Sequence, residues 1–320
     1  MMRKPTLIHI LLAAMVLVAG TPSLCADWPN RPIRLVVPAI GGVSDELARA
    51  IQEPLSTLLG QPVIVENKAG ALGAIGAMEV VRAAPDGHTL MFGLMGTTLI
   101  LPLQKKATYD PLTSFTPIST IATVPLTVYT RGALPVKDIR ELIRYAQTLP
   151  TGINMAVTGG IGDIYSELLI RRGGFKAVKV PYNGGGPAAL AMLAGDVDIW
   201  VSTPSALAFG HVKAGKLRTV GVSSAGVSPL VPGVDPVSKE YPTIPAVEFW
   251  FALLGPAGLP KPITERLAAA MAEIVIKPAT RARFAEIGVV PESSTPQAFA
   301  ARMARETELY RQLLNELNMN

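Results

Sequence analysis

The sequence predicts an α/β protein of two lobes of similar size, each a mostly parallel sheet covered by helices. Three observations carry this. Short apolar runs alternate with longer amphipathic segments along most of the chain. Glycine, proline or a small hydroxyl residue marks nearly every junction. One loop-rich stretch, "YDPLTSFTPI" (109–118), divides the alternation into two series.

Each element follows from its residues. Ile33–Pro38 reads as a buried strand, and Ser44–Leu59 as a helix with Leu47, Ile51, Leu55 and Leu59 on one face. Ser44 is the expected N-cap, with Asp45 and Glu46 in the first turn, where acids suit the helix dipole. A second strand is expected at 62–67, a second helix at 74–84 and a third strand at 88–93, after the turn Pro85-Asp86-Gly87. Beyond the divide, strands are expected at 124–130, 153–159, 177–182 and 197–202, with helices at 136–148, 166–174 and 187–195 between them. Near the end, Thr295-Pro296 pairs an N-cap with proline at the first helical position, and Phe299, Met303, Tyr310 and Leu314 stripe the helix that follows. The chain is expected to cross between lobes near Ala122–Pro125 and near Phe249–Leu254. That assigns 27–123 with 250–320 to one lobe and 124–249 to the other, and makes the crevice between them the expected ligand site.

Composition narrows the function. The 320 residues, 49% hydrophobic and 17% charged, suffice for one large core or two medium ones. Residues 1–26 have the layout of a secretory signal peptide: Arg3 and Lys4, an apolar run from Leu7 to Gly20, then small residues before Asp27. The run is short for a membrane span, which makes an uncleaved anchor the weaker reading. Cleavage near Cys25 or Ala26 removes the single cysteine, and with it any disulfide or thiol nucleophile. Leu24 is bulky where lipid-acceptor sites carry a small residue, so acylation of Cys25 ranks second. Without Arg3 and Lys4, 27 basic residues stand against 24 acidic ones, a net charge of +3. The signs are interspersed, which favours neither a nucleic-acid stripe nor a polybasic membrane patch.

Catalytic groups are scarce. His88 and His211 stand alone and read as surface histidines, and no G-x-S-x-G elbow occurs. Gly70-x-x-Gly73-x-x-Gly76 and Gly184-Gly185-Gly186 lack the lysine of a phosphate loop and the spacing of a dinucleotide fingerprint. Neither an enzyme, a cofactor nor a metal is expected. What recurs is a strand that ends in glycine or small hydroxyl residues ahead of a helix: Gly41-Gly42-Val43-Ser44, Gly93-Leu94-Met95-Gly96-Thr97-Thr98, and Thr158-Gly159-Gly160-Ile161-Gly162-Asp163. A helix start leaves N–H groups without partners, and glycine lets an anion approach them. Each turn alone matches an ordinary strand–helix connection; three of them across two lobes point to a ligand clamp.

The same segments carry a family likeness. "WPNRPIRLVVP", "GGVSDELAR", "GQPVIVENKAGALGAIGA", "AAPDGHTLMFG", "VKVPYNGGGPAALAMLAGDVDI", "AGKLRTVGVS" and "GPAGLPKPI", in that order, resemble the extracytoplasmic solute receptors of tripartite tricarboxylate transporters, the Bug or TctC type, over essentially the whole chain after residue 26. The resemblance implies a two-lobed, type II periplasmic-binding-protein-like fold and a monomeric, periplasmic protein. It further implies closure on a small carboxylate or amino-acid-like ligand and delivery to a membrane permease.

Carried over residue by residue, the first ligand loop covers Ala39, Ile40, Gly41, Gly42, Ser44 and Asp45, and the second covers Met95, Gly96, Thr97 and Thr98. The other lobe contributes Thr158, Gly159, Gly160, Gly162 and Asp163, then Tyr182, Asn183 and Gly184. The expected roles are N–H donation from Gly41-Gly42 and Gly159–Gly162, and hydroxyl contacts from Ser44, Thr97, Thr98 and Thr158. Asp45 is either an orienting residue or an exposed first-turn acid, and Tyr182 reads as packed more than ligand-facing. Two departures stand out. The first loop lacks one residue and the family's aromatic, and Asp163 replaces a family Ser or Thr where about three residues are missing before "SELL". If Asp163 faces the pocket it favours an amine-bearing or neutral ligand; if it caps the helix, an acid remains open. A sensory receptor docking on a membrane kinase would share these features, whereas a secreted hydrolase would need a nucleophile and base.

The exported protein is expected to begin near Ala26 or Asp27 without lipid. Intact mass spectrometry reads this directly, and the mass of an acylated Cys25 would overturn it.

Overall fold

A computed structural model describes residues 28–182 and 184–319; the expected signal peptide with its cleavage site and Cys25, and the candidate contact Asn183, lie outside the described residues. The chain forms β1 (Ile33–Val37), α1 (Gly42–Leu59), β2 (Val63–Asn67), α2 (Ala74–Val81), β3 (Thr89–Leu94) and β4 (Phe115–Pro125). It continues through β5 (Thr127–Arg131), α3 (Ile139–Gln147), β6 (Ile153–Val157), α4 (Ile161–Gly173), β7 (Ala177–Pro181), α5 (Gly185–Ala194), β8 (Ile199–Ser202), α6 (Ala206–Lys213) and β9 (Leu217–Val222). It returns through β10 (Glu248–Pro256), α7 (Lys261–Ile276), α8 (Pro278–Ile287), β11 (Val290–Pro291) and α9 (Pro296–Leu317).

Two sheets result, ordered β11-β4-β10-β3-β1-β2 and β7-β6-β8-β5-β9. The helix-linked strands pair in parallel: β1 with β2 and β3, and β6 with β7 and β8. The strands that arrive from the opposite sheet pair antiparallel, β5 with β8 and β9, and β10 with β3 and β4. Antiparallel pairing needs no crossover helix, which suits a chain stepping directly between sheets.

Four local expectations need correction. Helix α1 starts at Gly42, with Gly41 rather than Ser44 at the N-cap. The supposed loop 109–118 already contains the start of β4, whose Thr116 and Pro117 pair with Gly255 and Leu254 of β10; the expected strand 124–130 divides at Leu126 into the end of β4 and β5. Helix α4 begins at Ile161, well before residue 166, because Gly159 and Gly160, with φ of 91° and 74°, turn the chain abruptly enough for the helix to start at once.

The helix stripes bury as their spacing predicts. Leu47, Ile51, Leu55 and Leu59 of α1 pack into a core with Ile33, Leu35 and Phe92 of the first sheet, each burial contributing about 1.5–3 kcal/mol. In α9, Phe299, Met303, Tyr310 and Leu314 are buried, Thr295 Oγ1 accepts from the Ala298 N–H at 3.1 Å, and Phe299 meets Trp250 edge-on with ring centroids 5.1 Å apart. The far end of α9 reaches the second sheet's side, where Arg171 Nη2 of α4 donates to Leu317 O at 3.0 Å and Arg172 pairs with Glu316 at 2.6 Å. Cations suit these last-turn carbonyls.

The two passes between sheets are tied together by one fully buried residue, Ser223, directly after β9. Its N–H donates to Leu126 O at 2.9 Å, and its carbonyl accepts from the Val247 N–H at 2.8 Å. Its hydroxyl oxygen accepts from the Leu126 N–H at 2.8 Å and donates to Val247 O. Ser223→Ala strips the hydroxyl from both buried partners, so unfolding stability is expected to fall by about 1–3 kcal/mol. Urea denaturation checks this; an unchanged midpoint would show that the clasp contributes nothing.

Candidate functional site: a cavity between the sheets

A cavity of about 420 Å³ opens between the two sheets. Gly41-Gly42-Val43-Ser44 and Leu94 line it from the first sheet, and Thr158–Gly162 and Val201-Ser202-Thr203-Pro204 from the second. Val124, Leu126, Phe249 and Phe251, on or beside the passing strands, close its floor, with Gly288-Val289 at one side.

Glycine is required at the two facing turns. Gly41 and Gly42 have φ of 66° and 70°, matching the left-handed turn before α4. A β-carbon at any of Gly41, Gly42, Gly159 or Gly160 would meet no atom within 4 Å and would point into open space. The restriction is therefore the backbone angle, and valine at position 42 would strain the turn as well as obstruct the cleft. The N-caps Gly41 and Gly160 offer no side-chain acceptor, whereas Asp138 caps α3 and Thr295 caps α9. The first N–H groups of α1 and α4 are thus left for solvent or ligand at the cavity wall.

The remaining wall is hydroxyl and hydrocarbon, without a charged side chain among the lining residues. Ser44 is 8% exposed. No hydrogen bond among the described residues engages the hydroxyls of Ser44, Thr158, Ser202 or Thr203. Two uncapped helix starts and four free hydroxyls favour an anion by dipole and hydrogen bond, without a cation.

The two acids expected near the ligand turn away from it. Asp163 accepts from the N–H groups of Thr158 at 3.0 Å and Gly159 at 2.9 Å, bracing its own turn. Burial pushes its carboxyl above the usual range, and the two N–H donors oppose that. Asp45 accepts from Arg49 Nε at 3.0 Å and Asn67 Nδ2 at 2.8 Å, which hold its carboxyl below the usual range. Asn67 Nδ2 also donates to Ala39 O at 2.8 Å, so Asp45 fixes the first loop through Asn67. Ala39 is half-buried beside that bond, and Ile40 is 79% exposed on the rim.

The second expected loop does not reach the cavity. The Phe249 ring stands in front of it: a β-carbon on Gly96 would lie 3.7 Å from Phe249 Cε2. Beside the ring Gly96–Ile100 forms a wide helical turn; Met95 just before it and Thr98 within it are fully buried. Thr97 Oγ1 donates to Leu72 O at 3.1 Å, and Thr97 O accepts from the Tyr109 hydroxyl at 2.6 Å. Tyr182 is half-buried against the core around Trp200, and Gly184 serves as N-cap of α5; neither lines the cavity. Sequence reasoning missed the floor and the Ser202-Thr203 pair. The pair repeats the strand-end hydroxyl signal; the floor carries no signal, being apolar residues from distant strands.

His88 corrects a further expectation: it is buried, 6.2 Å from the Trp28 ring, and burial lowers its pKa. Among the described residues no group of three or more His, Cys, Asp or Glu gathers as a metal site, and no helix is long and apolar enough to cross a membrane. Asp163→Ala removes the acceptor for two turn N–H groups and is expected to cost about 1 kcal/mol of stability, the usual net worth of such bonds. Thermal unfolding measures it, and a variant as stable as wild type would mean that the glycines alone hold the turn.

The model of the tripartite tricarboxylate transporter family receptor, TctC, matches residues 47–319. BugT of Bordetella pertussis is 30% identical over 317 residues, 96% of this chain and 97% of that protein. A TctC solute-binding protein from Polaromonas, solved with no ligand, superposes with a TM-score of 0.81 at 27% identity, over 91% of this chain and 100% of the other. MatC from Rhodopseudomonas palustris with bound malate gives 0.70 at 31% identity, over 90% and 100%. A two-sheet fold with an uncharged cavity between its sheets is thus joined to family likeness along nearly the whole chain, and the protein belongs to the tripartite tricarboxylate transporter receptor family, the Bug or TctC type.

Proposed function

We propose that this protein is a periplasmic receptor, exported by a cleaved signal peptide, that captures a small organic carboxylate between its sheets and hands it, as a monomer, to a tripartite tricarboxylate-type permease. The observation that carries the reading is the pair of uncapped glycine turns, Gly41-Gly42 and Gly159-Gly160, lining one cavity from opposite sheets. An anion touching both turns gains from both only when the sheets stand close, so its binding free energy favours the closed arrangement. Ser44, Thr158, Ser202 and Thr203 supply hydroxyl contacts in place of Thr97 and Thr98. Malate in MatC supports the ligand class. The cavity's hydroxyls have no base bonded to them, so nothing in it favours hydrolysis.

Native mass spectrometry of freshly purified protein is expected to reveal a co-purified acid, and small-angle scattering a smaller radius of gyration once that acid is added back at saturation. A radius unchanged by a ligand that calorimetry shows to bind would count against capture by closure.

A further inference from the structure

Resting on that capture reading, we infer that the ligand is a mono-anionic acid with an apolar body, and that Phe249 sets this preference by closing off the second ligand loop. The cavity is polar at its mouth and apolar at its floor. Gly41, Gly42, Gly159 and Gly160 are all exposed at the mouth, where the first N–H groups of α1 and α4 are left uncapped; the Gly159 N–H itself is taken by Asp163. At the floor, Val124, Leu126 and Phe251 are 3%, 1% and 5% exposed.

The floor offers nothing to a second charge. Phe249 and Val124 sit opposite each other in the β4–β10 ladder, so the backbone groups there belong to the sheet. A carboxylate pressed onto these side chains would lose its water without gaining a donor or a cation. A hydrocarbon body loses nothing there and is removed from water. Next to the Phe249 ring lies the Gly96 turn, and in that same turn the Thr98 hydroxyl, which a second polar group would need, is buried and without a partner. The ring, edge-on against Phe251 at 5.2 Å, lines the cavity on one side and lies against the Gly96 turn on the other. Ser44 supports the assignment of the charged end to the mouth, being more than nine-tenths buried on the cavity wall with its hydroxyl unpaired.

Calorimetric titration of the full exported protein with hexanoate, benzoate, adipate and malate tests this. The two monoacids are expected to bind wild type about tenfold or more tighter than the two diacids. Phe249→Ala, checked for folding by thermal unfolding, opens the way to Gly96 and Thr98 and is expected to bring adipate within about threefold of hexanoate, while Phe249→Leu, which keeps an apolar plug, retains the wild-type order. Diacids binding wild type as tightly as monoacids would overturn the inference and leave carboxylate capture standing. Full monoacid preference in a folded Phe249→Ala variant would remove Phe249 as its determinant; if that variant does not fold, reversal of the order in Phe249→Leu does the same. If none of the four acids binds, the capture reading itself fails and this inference goes with it.

Discussion

The antiparallel pairing of β4 with β10 is the constraint on which the rest of the structure depends. These two strands run alongside each other from Phe115–Pro256 to Pro125–Glu248; β4 leads directly into the second sheet, and β10 begins just after Val247, where the chain returns from it. Between β4 and β5 only Leu126 intervenes, and Ser223 binds its N–H and its carbonyl while binding Val247 on the return pass. The sheets are therefore joined at one edge and apart at the other, which creates a cavity between the carboxyl ends of their parallel strands. On the outgoing pass only Leu126 lies at the join, so on that pass a change in the angle between sheets would have to bend the chain there.

This geometry gives the cavity an anion-favouring wall without a charged side chain. A helix start carries about half a positive elementary charge spread over its free N–H groups, and two such starts face each other across a gap. Two acids stand one turn away, and each is occupied: Asp45 by Arg49 and Asn67, Asp163 by the N–H groups of Thr158 and Gly159. They hold the glycine turns in shape from behind. Asp163 carries the cost of that position in its raised pKa. Asp163 thus commits its carboxylate to the N–H groups of its own turn and is not among the residues lining the cavity.

The parts of this arrangement legible in sequence are those set by local chemistry. Period foretold the buried stripes of α1 and α9, capping foretold the start of α9 but misplaced that of α1, and glycine pairs marked the two turns that line the cavity. The Gly96-Thr97-Thr98 segment carried the same local signal, yet it folds behind Phe249, because a strand more than 150 residues away in sequence brings the ring across it. No local pattern encodes that contact. Ser223 was equally silent: a serine after a strand is ordinary, and only the return of the chain at Val247 gives its hydroxyl two buried partners. The β4 start was misread because Thr116 and Pro117 have turn chemistry, and pairing with β10, with register shifts at Phe251/Ala252 and Leu253/Leu254, overrides it.

The floor residues and the join are the same residues. Val124 and Phe249 belong to the passing strands, and Leu126 is the single link whose N–H Ser223 holds. On the proposed capture reading, a ligand body resting on them would touch the join between the sheets, while its charged end would touch the turns those sheets carry. A ligand can shift an equilibrium only by what it gains in one state over the other. The mouth contacts supply such a difference, since they come from opposite sheets and form together only on approach. The floor contacts are present in either arrangement and add affinity uniformly, unless the join repacks around the body. On the capture reading proposed above, selection among acids would therefore fall to the floor and the drive to close to the paired glycine turns.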